Sequence, residues 1–559
     1  FRTSGEERDS SPLSLSASLR VILLPSSSPL PMPVPRSARQ RARPPFHAAL
    51  PSIKEFPMNE SGLRSSMIAL SMCNFMVAFM VSGVGACLPS IGNDLHASAG
   101  DLSLISAVYV LSLVIFNIVA AQLIAIMGQR RVFLYGFAIF LVMCLSLAFS
   151  PNVELVWGQR FIQGAGAAMV ATSSVTLLIS IAPRSMQGRL MGLLTASTYV
   201  GIALGPLVGG GIATALGWRW LFVVLLPLGV LAWIAMFRTV RVRQVPVPTG
   251  LDLPGIAVMG AGFVLLTIGA SCVGRYDFAG WFLAAGLAVL VLFVLVELRV
   301  PRPVVDVRFI AAHPSLILGL FAALVNFGSI NGLLYYFMLY LQQLRFLTPL
   351  EAGAFVALQS VAQSLLSPLA GKLSDRIGPD PVSAIGLAFS GAGILLSSRL
   401  DMHSSLLFVG LTQCIIGVGL AFFAGPNTLS IVRSVDASHT PEASGLANTM
   451  RTLGMLISLI IVSATMTRYL GTHGAGPEMA EPFLRGMRLD LRLFVAFNVL
   501  GLALVSLRIL NAWRCGLGKG VDCMPDPSFL EEEDGNGGSG GQAGSEDGAA
   551  ERNTGGKRA

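Results

Sequence analysis

Arg160 and Gln163 stand one helical turn apart in WGQRFIQGAGAAM (157–169), where no other side chain is charged. A guanidinium within an apolar run costs about 3 kcal/mol or more and usually faces a cavity or a partner, so the pair reads as part of a path for cargo or protons. The competing reading is an arginine that snorkels to the membrane surface beside Glu154. Arg451, in ASGLANTMRTLG (443–454), poses the same choice two turns from the end of its own run. Nine amides (Asn74, Asn117, Gln163, Asn326, Asn331, Gln359, Gln363, Asn427 and Asn448) could line such a cavity, although a hydrogen bond from one helix to another is the plainer account of each. Arg160, Gln163, Arg451, Asn326 and Asn427 are the candidate substrate and proton pathway.

The elements that must carry these residues are apolar helices. The chain has 559 residues, 53% of them hydrophobic and 12% charged, against a charged share of about a quarter in ordinary globular proteins. Fourteen runs between Met67 and Asn511 are long enough to cross a bilayer as helices. The turns after even-numbered runs hold 13 Lys or Arg and those after odd-numbered runs hold 6, which predicts a multi-pass protein of the cytoplasmic membrane with both termini cytoplasmic. A net charge of +8 follows from the same arginines and the N-terminal tail and calls for no nucleic-acid partner. Seven cysteines form no C-x-x-C pair, six histidines form no metal-spaced cluster, and neither a nucleophile motif nor an ATP-binding loop is present. The chain therefore reads as no enzyme, without metal or cofactor, and as dependent on an ion gradient for energy.

Residues 1–66 read as a disordered or over-extended N-terminal segment, with Met58 as a plausible natural start, and 512–559 as a disordered hydrophilic tail. Between them lie an N-terminal six-helix bundle (67–237), two additional central helices with their linkers (238–313) and a C-terminal six-helix bundle (314–511). Shifting the chain by 250 residues aligns AAQLIAIMGQRRVFLYGFA (120–138) with AGKLSDRIGPDPVSAIGLA (370–388), with identities that include Gly128/Gly378 and Gly136/Gly386. Parallel six-span halves are one way in which secondary transporters are built, although short glycine-containing turns also resemble one another by chance. In GIALGPLVGG (201–210) the glycines Gly201, Gly205 and Gly209 fall at i, i+4 and i+8 and make one flat helix face, with Gly210 beside it. Pro206 removes a helix hydrogen bond and sets a kink. Such a helix is expected to act as a hinge against its neighbour; ordinary small-residue packing is the plainer account.

These segments resemble the major facilitator superfamily, in particular its fourteen-span drug:proton antiporter branch, over about residues 67–511. GIALGPLVGG matches that branch's fifth-span motif G-x-x-x-G-P-x-x-G-G, and GWRWLF (217–222) follows as it does there. WGQRFIQG matches the fourth-span motif R-x-x-Q-G. Gly371, Asp375, Arg376 and Gly378 match the cytoplasmic gate motif G-x-L-a-D-R-x-G, in which Asp375 would sit near the start of the following helix, favoured by its dipole, while Arg376 pairs across the gate. In the first half only Gly128, Arg130 and Arg131 survive and Ala125 stands in the acid's place, so a latch there must use other contacts.

The resemblance implies an all-α integral membrane protein of the major facilitator fold, two six-helix bundles plus two central helices, working by alternating access. It further implies export of small amphipathic or drug-like molecules by proton antiport, the partners being the small-molecule substrate, the proton gradient and the lipid bilayer. Carriage of one metabolite such as an organic anion, or a receptor-like relative that no longer transports, are the alternatives. One departure bears on mechanism: Met80 stands where many relatives have a first-span acid, and all sixteen acids between 67 and 511 fall in turns or near span ends. Proton exchange is left to Asp101, Glu154, Glu351 or a route via Arg160, and amphipathic anions or neutral compounds are expected to be handled better than dications.

Overall fold

The computed structural model describes residues 60–97, 99–240, 251–272, 278–300, 303–470 and 479–516. The two expected tails fall outside these residues except at 60–66 and 512–516, which are helical and extend the first and last spans. No strand occurs among the described residues. The first group of helices is α1 (Glu60–Leu95), α2 (Ala99–Met127), α3 (Gln129–Ala148), α4 (Val153–Ile181), α5 (Gln187–Ala215), α6 (Arg219–Val224) and α7 (Leu226–Thr239). An inserted pair follows, α8 (Leu253–Cys272) and α9 (Ala279–Glu297), then the short α10 (Val307–Ala312). The second group is α11 (Pro314–Leu339), α12 (Pro349–Ile377), α13 (Pro379–Ser397), α14 (Leu406–Arg433), α15 (Thr440–Leu470) and α16 (Ala480–Gly516). With α6 and α7 forming one span, fourteen are long and apolar enough to cross a membrane. The described chain therefore starts and ends on one face, called here the terminal face, opposite a far face.

Local chemistry sets the ends of these helices. The Asn152 and Ser405 side chains cap α4 and α14, and Thr348 and Glu351 form a reciprocal capping box on α12. The aligned glycines Gly128 and Gly378 both start the next helix at positive φ, 86° and 89°, which an L side chain rarely adopts. The repeat goes further than the turn. A methyl on Gly136 would lie 3.0 Å from the Gly166 carbonyl oxygen, and one on Gly386 2.7 Å from that of Gly419, so α3 crosses α4 as α13 crosses α14.

The Gly201, Gly205 and Gly209 stripe lies against α1. Methyls there would come within 2.5 Å of Phe75 O, 2.8 Å of Gly83 N and 3.0 Å of Gly83 Cα. The stripe is thus a contact inside one bundle and not a bearing between two. The reason is directional: α5 turns its other side, Gly188 and Gly192, to the second bundle. The helix runs on through Pro206, whose ring is exposed, and Gly210 has open space around it.

The two glycines give a direct contrast. Gly205→Ala should lower the unfolding temperature of purified protein by an overpacking cost of about 1–3 kcal/mol. Gly210→Ala, with nothing within 4 Å of its methyl, should leave it unchanged or raise it slightly. Scanning fluorimetry reads both, and equal behaviour of the pair would contradict the close approach of α5 to α1.

Candidate functional site

A cavity of about 1030 Å³ lies between the two groups of helices, walled by α1, α2, α4 and α5 on one side, α11, α14 and α15 on the other, and touched by α8. It extends to Ser106, Gln343 and Leu470 near the far-face ends of their helices. Four of the nine amides that could line such a wall are there: Asn74, Asn117, Asn331 and Asn448. Asn74 donates to Ser174 Oγ at 2.8 Å, and the Asn117 side chain accepts from Thr172 at 3.2 Å. Among the described residues, Arg451 is the only charged side chain in the lining, and no carboxylate lies there.

Arg451 is the twelfth residue of α15, about 17 Å along a helix that begins earlier than hydropathy suggests, and its guanidinium turns into the cavity instead of snorkelling. Nη2 donates to Tyr199 Oη at 3.1 Å, and the group lies 4.8 Å from the Phe327 ring centre. The other four pathway candidates are enclosed between helices and off the wall. Arg160 and Gln163 do come together: Nη1 donates to Gln163 Oε1 at 2.6 Å, with the guanidinium 4.1 Å from the ring of cavity-lining Tyr109. Arg160 Nε has no hydrogen-bond partner. Asn326 donates to Asn498 (3.3 Å), tying α11 to α16, and Asn427 to Gly319 O (3.2 Å), tying α14 to α11.

At the terminal face the bundles touch backbone to backbone. A methyl on Gly371 would sit 2.2 Å from Gly188 O, and one on Gly192 2.3 Å from Ser367 O. This approach lets Asp375 accept from the N–H groups of Gly188 and Arg189, both at 2.7 Å. Asp375 therefore does not serve the start of the following helix as expected, but that of α5, whose first-turn N–H groups are unpaired within the helix and whose dipole favours an anion. Asp380, not Asp375, occupies the start of α13, where enclosed Arg508 pairs with it at 2.7 Å. Arg376 is exposed, and Arg433 makes the cross-bundle bonds instead, to Gln187 Oε1 (3.1 Å) and Arg184 O (2.7 Å).

On the side of the degraded motif, Arg130 bonds Phe237 O at 2.6 Å inside its own bundle. The latch there is small-residue packing, with Gly445 against Asn117 O and Ser444 donating to Thr172 O at 3.1 Å.

Charge-pairing groups outside the spans lie at both faces. At the far face, hydrogen bonds from Arg219 and Trp218 of GWRWLF hold Asp94 below its ordinary carboxylate value, though the pair is well exposed and contributes little. At the terminal face His439 stacks on Phe309, ring centres 3.8 Å apart. Burial opposes a charge on His439, but the hydrogen bond and charge of Asp436, with Glu442 and Asp306, outweigh it and raise its pKa. The same hydrogen bond holds Asp436 well below the carboxylate range.

Of the expected proton acids, Glu154 and Glu351 are exposed and Asp101 lies in the first turn of α2. One expectation is corrected. Asp490, placed by hydropathy at a span edge, lies eleven residues into α16 and is 2% exposed. Its carboxylate accepts from Tyr336 Oη (2.5 Å) and Thr465 Oγ1 (2.7 Å). Met80, in the place of the first-span acid, is fully buried in the core.

The sequence profile of the Major Facilitator Superfamily matches residues 70–459. Multidrug resistance protein Stp of Mycobacterium tuberculosis is 29% identical over 423 residues, covering 74% of this chain and 77% of its own. The tetracenomycin C resistance and export protein of Streptomyces glaucescens is 26% identical over 423 residues, covering 74% and 78%. Among solved structures, the proton:xylose symporter XylE superposes with a TM-score of 0.57 at 15% identity, over 80% of this chain and 95% of that one, a likeness of fold alone.

Because Asp375 bridges the bundles, Asp375→Asn should weaken the terminal-face closure by about 1 kcal/mol. A cysteine at cavity-lining Met191, in a background without the native cysteines, should then be labelled several-fold faster by an impermeant maleimide supplied at the terminal face. Unchanged labelling would mean that the carboxylate does not hold the gate.

Proposed function

The chain belongs to the Major Facilitator Superfamily, and on that premise we propose that it is a secondary transporter that exports small amphipathic or drug-like molecules by alternating access, in exchange for protons. The observation that carries the reading is the cavity itself: about 1030 Å³, largely apolar with a few convergent polar groups, open toward the far face and sealed at the terminal one. The excess of Lys and Arg in turns on the terminal side supports a cytoplasmic location for that face, and so for both termini. With that orientation, a cavity reaching toward the far face supports reading this as the outward-facing state of the proposed cycle. Relatives named as drug resistance and export proteins support drug-like cargo.

The proton is the less constrained half of the exchange. The acids enclosed among the described residues are Glu297 and Asp490. Asp490 is the one near the cavity: its partner Thr465 sits on α15 between the lining residues Ser463 and Met466. Arg485 and Arg488, on its own helix, are engaged elsewhere, with Glu481 and Leu400 O. Asp490 is accordingly the residue at which proton exchange is assigned.

Everted vesicles with an acid interior test this. They should accumulate a xanthene dye added outside, and collapse of the gradient should release it. Asp490→Asn should reduce gradient-driven uptake at least tenfold while dye-for-dye exchange persists. Uptake indifferent to the gradient would remove proton antiport, and no flux at all would favour a receptor-like relative.

A further inference from the structure

Arg451 has two partners that belong to different bundles. Tyr199, on α5, accepts its hydrogen bond at 3.1 Å, and Phe327, on α11 beside it, lies under the guanidinium at 4.8 Å. Of the hydrogen bonds that join the bundles among the described residues, those of Asp375, Arg433 and Ser444 lie at the terminal-face ends of their helices. The Arg451–Tyr199 bond is the one deepest in the molecule, and both residues line the cavity.

A guanidinium carries five N–H donors in a planar fork. One is spent here on a neutral phenol, and among the described residues no acid lines the wall to take the rest. Carboxylates, sulfonates and phosphates accept from such a fork through two parallel, charge-assisted bonds, about twice as strong as a bond to a neutral hydroxyl. An anionic group entering the cavity therefore outcompetes Tyr199 for Arg451, while the Phe327 and Tyr199 rings offer flat apolar surface for the body of the molecule.

Building on the transport reading above, we infer that the cargo is an amphipathic organic anion whose charged group takes Arg451 from Tyr199, so that filling the cavity removes the innermost hydrogen bond between the bundles. Recognition and release of the closed gate are then one event. An occupied cavity lacks the bond that an empty one has, and the bundles separate more readily at the terminal face when cargo is aboard.

Fluorescein and rhodamine 6G share a xanthene frame and carry opposite charge, which isolates the anionic group. Binding of each to purified protein in phosphatidylcholine nanodiscs, a zwitterionic bilayer that supplies no competing anionic headgroup, should favour fluorescein. Arg451→Gln should weaken fluorescein at least about tenfold and leave rhodamine 6G unchanged or tighter. Arg451→Lys, which keeps the charge and loses the fork, should fall between. Tyr199→Phe, which keeps the ring and removes the competing hydroxyl, should tighten fluorescein a few-fold. Equal loss of both dyes in Arg451→Gln, fluorescein held no tighter by the wild type than by that variant, or weaker fluorescein binding in Tyr199→Phe overturns the inference. Charge-selective binding through Arg451 by a protein that moves neither dye across sealed vesicles would leave this inference standing and remove the transport reading.

Discussion

The closed face of the molecule depends on how near α5 and α12 come to each other at Gly188 and Gly371. Where a side chain would have to sit 2.2 Å from a backbone oxygen, only glycine allows the two helices to meet. Inside a bilayer this proximity cannot be driven by the hydrophobic effect, because lipid is as apolar as the helices; it rests on van der Waals contact and interhelical hydrogen bonds. The Asp375 bonds are a consequence of the same contact, since a carboxylate reaches the first-turn N–H groups of α5 only when the backbones are that close.

Glycine is used in two ways along α5. Gly201, Gly205 and Gly209 bring α5 against α1 within one bundle, whereas Gly188 and Gly192, nearer its first turn, bring it against α12 across the divide. The stripe in the sequence is thus the face that packs α5 onto α1.

Much of this was legible in the chain. Span number follows from apolar length, and the repeat from glycines that the backbone requires at Gly128 and Gly378. Which face of each helix looks where was not, because in a membrane bundle both the buried and the lipid-facing sides are apolar and periodicity marks neither. Amides show the limit: Asn331 lines the cavity and Asn326, five residues earlier on α11, does not. Asp490 was misplaced because Glu481, Arg485 and Arg488 before it lower the apolar content of a segment that is nonetheless continuous helix. Arg433 and Tyr199 belong to no motif, and their roles come from partners more than two hundred residues away.

One signal in the sequence does connect the parts. Ser444, Arg451, Ser458 and Thr465 recur every seven residues on α15, a spacing that drifts only about 20° per step and so keeps them near one side of the helix. Ser444 bonds the gate carbonyl of Thr172, Arg451 faces the cavity, Ser458 accepts from the Gly332 N–H of α11, and Thr465 donates to Asp490. The terminal-face contact, the cavity arginine and the partner of the enclosed acid thus sit on a single helix, with about 31 Å between first and last. Met80 lies in the core, and among the described residues no acid lines the cavity wall. On the transport reading proposed above, exchange of cargo for protons would then run through the position of α15, a single helix bonded at all four points.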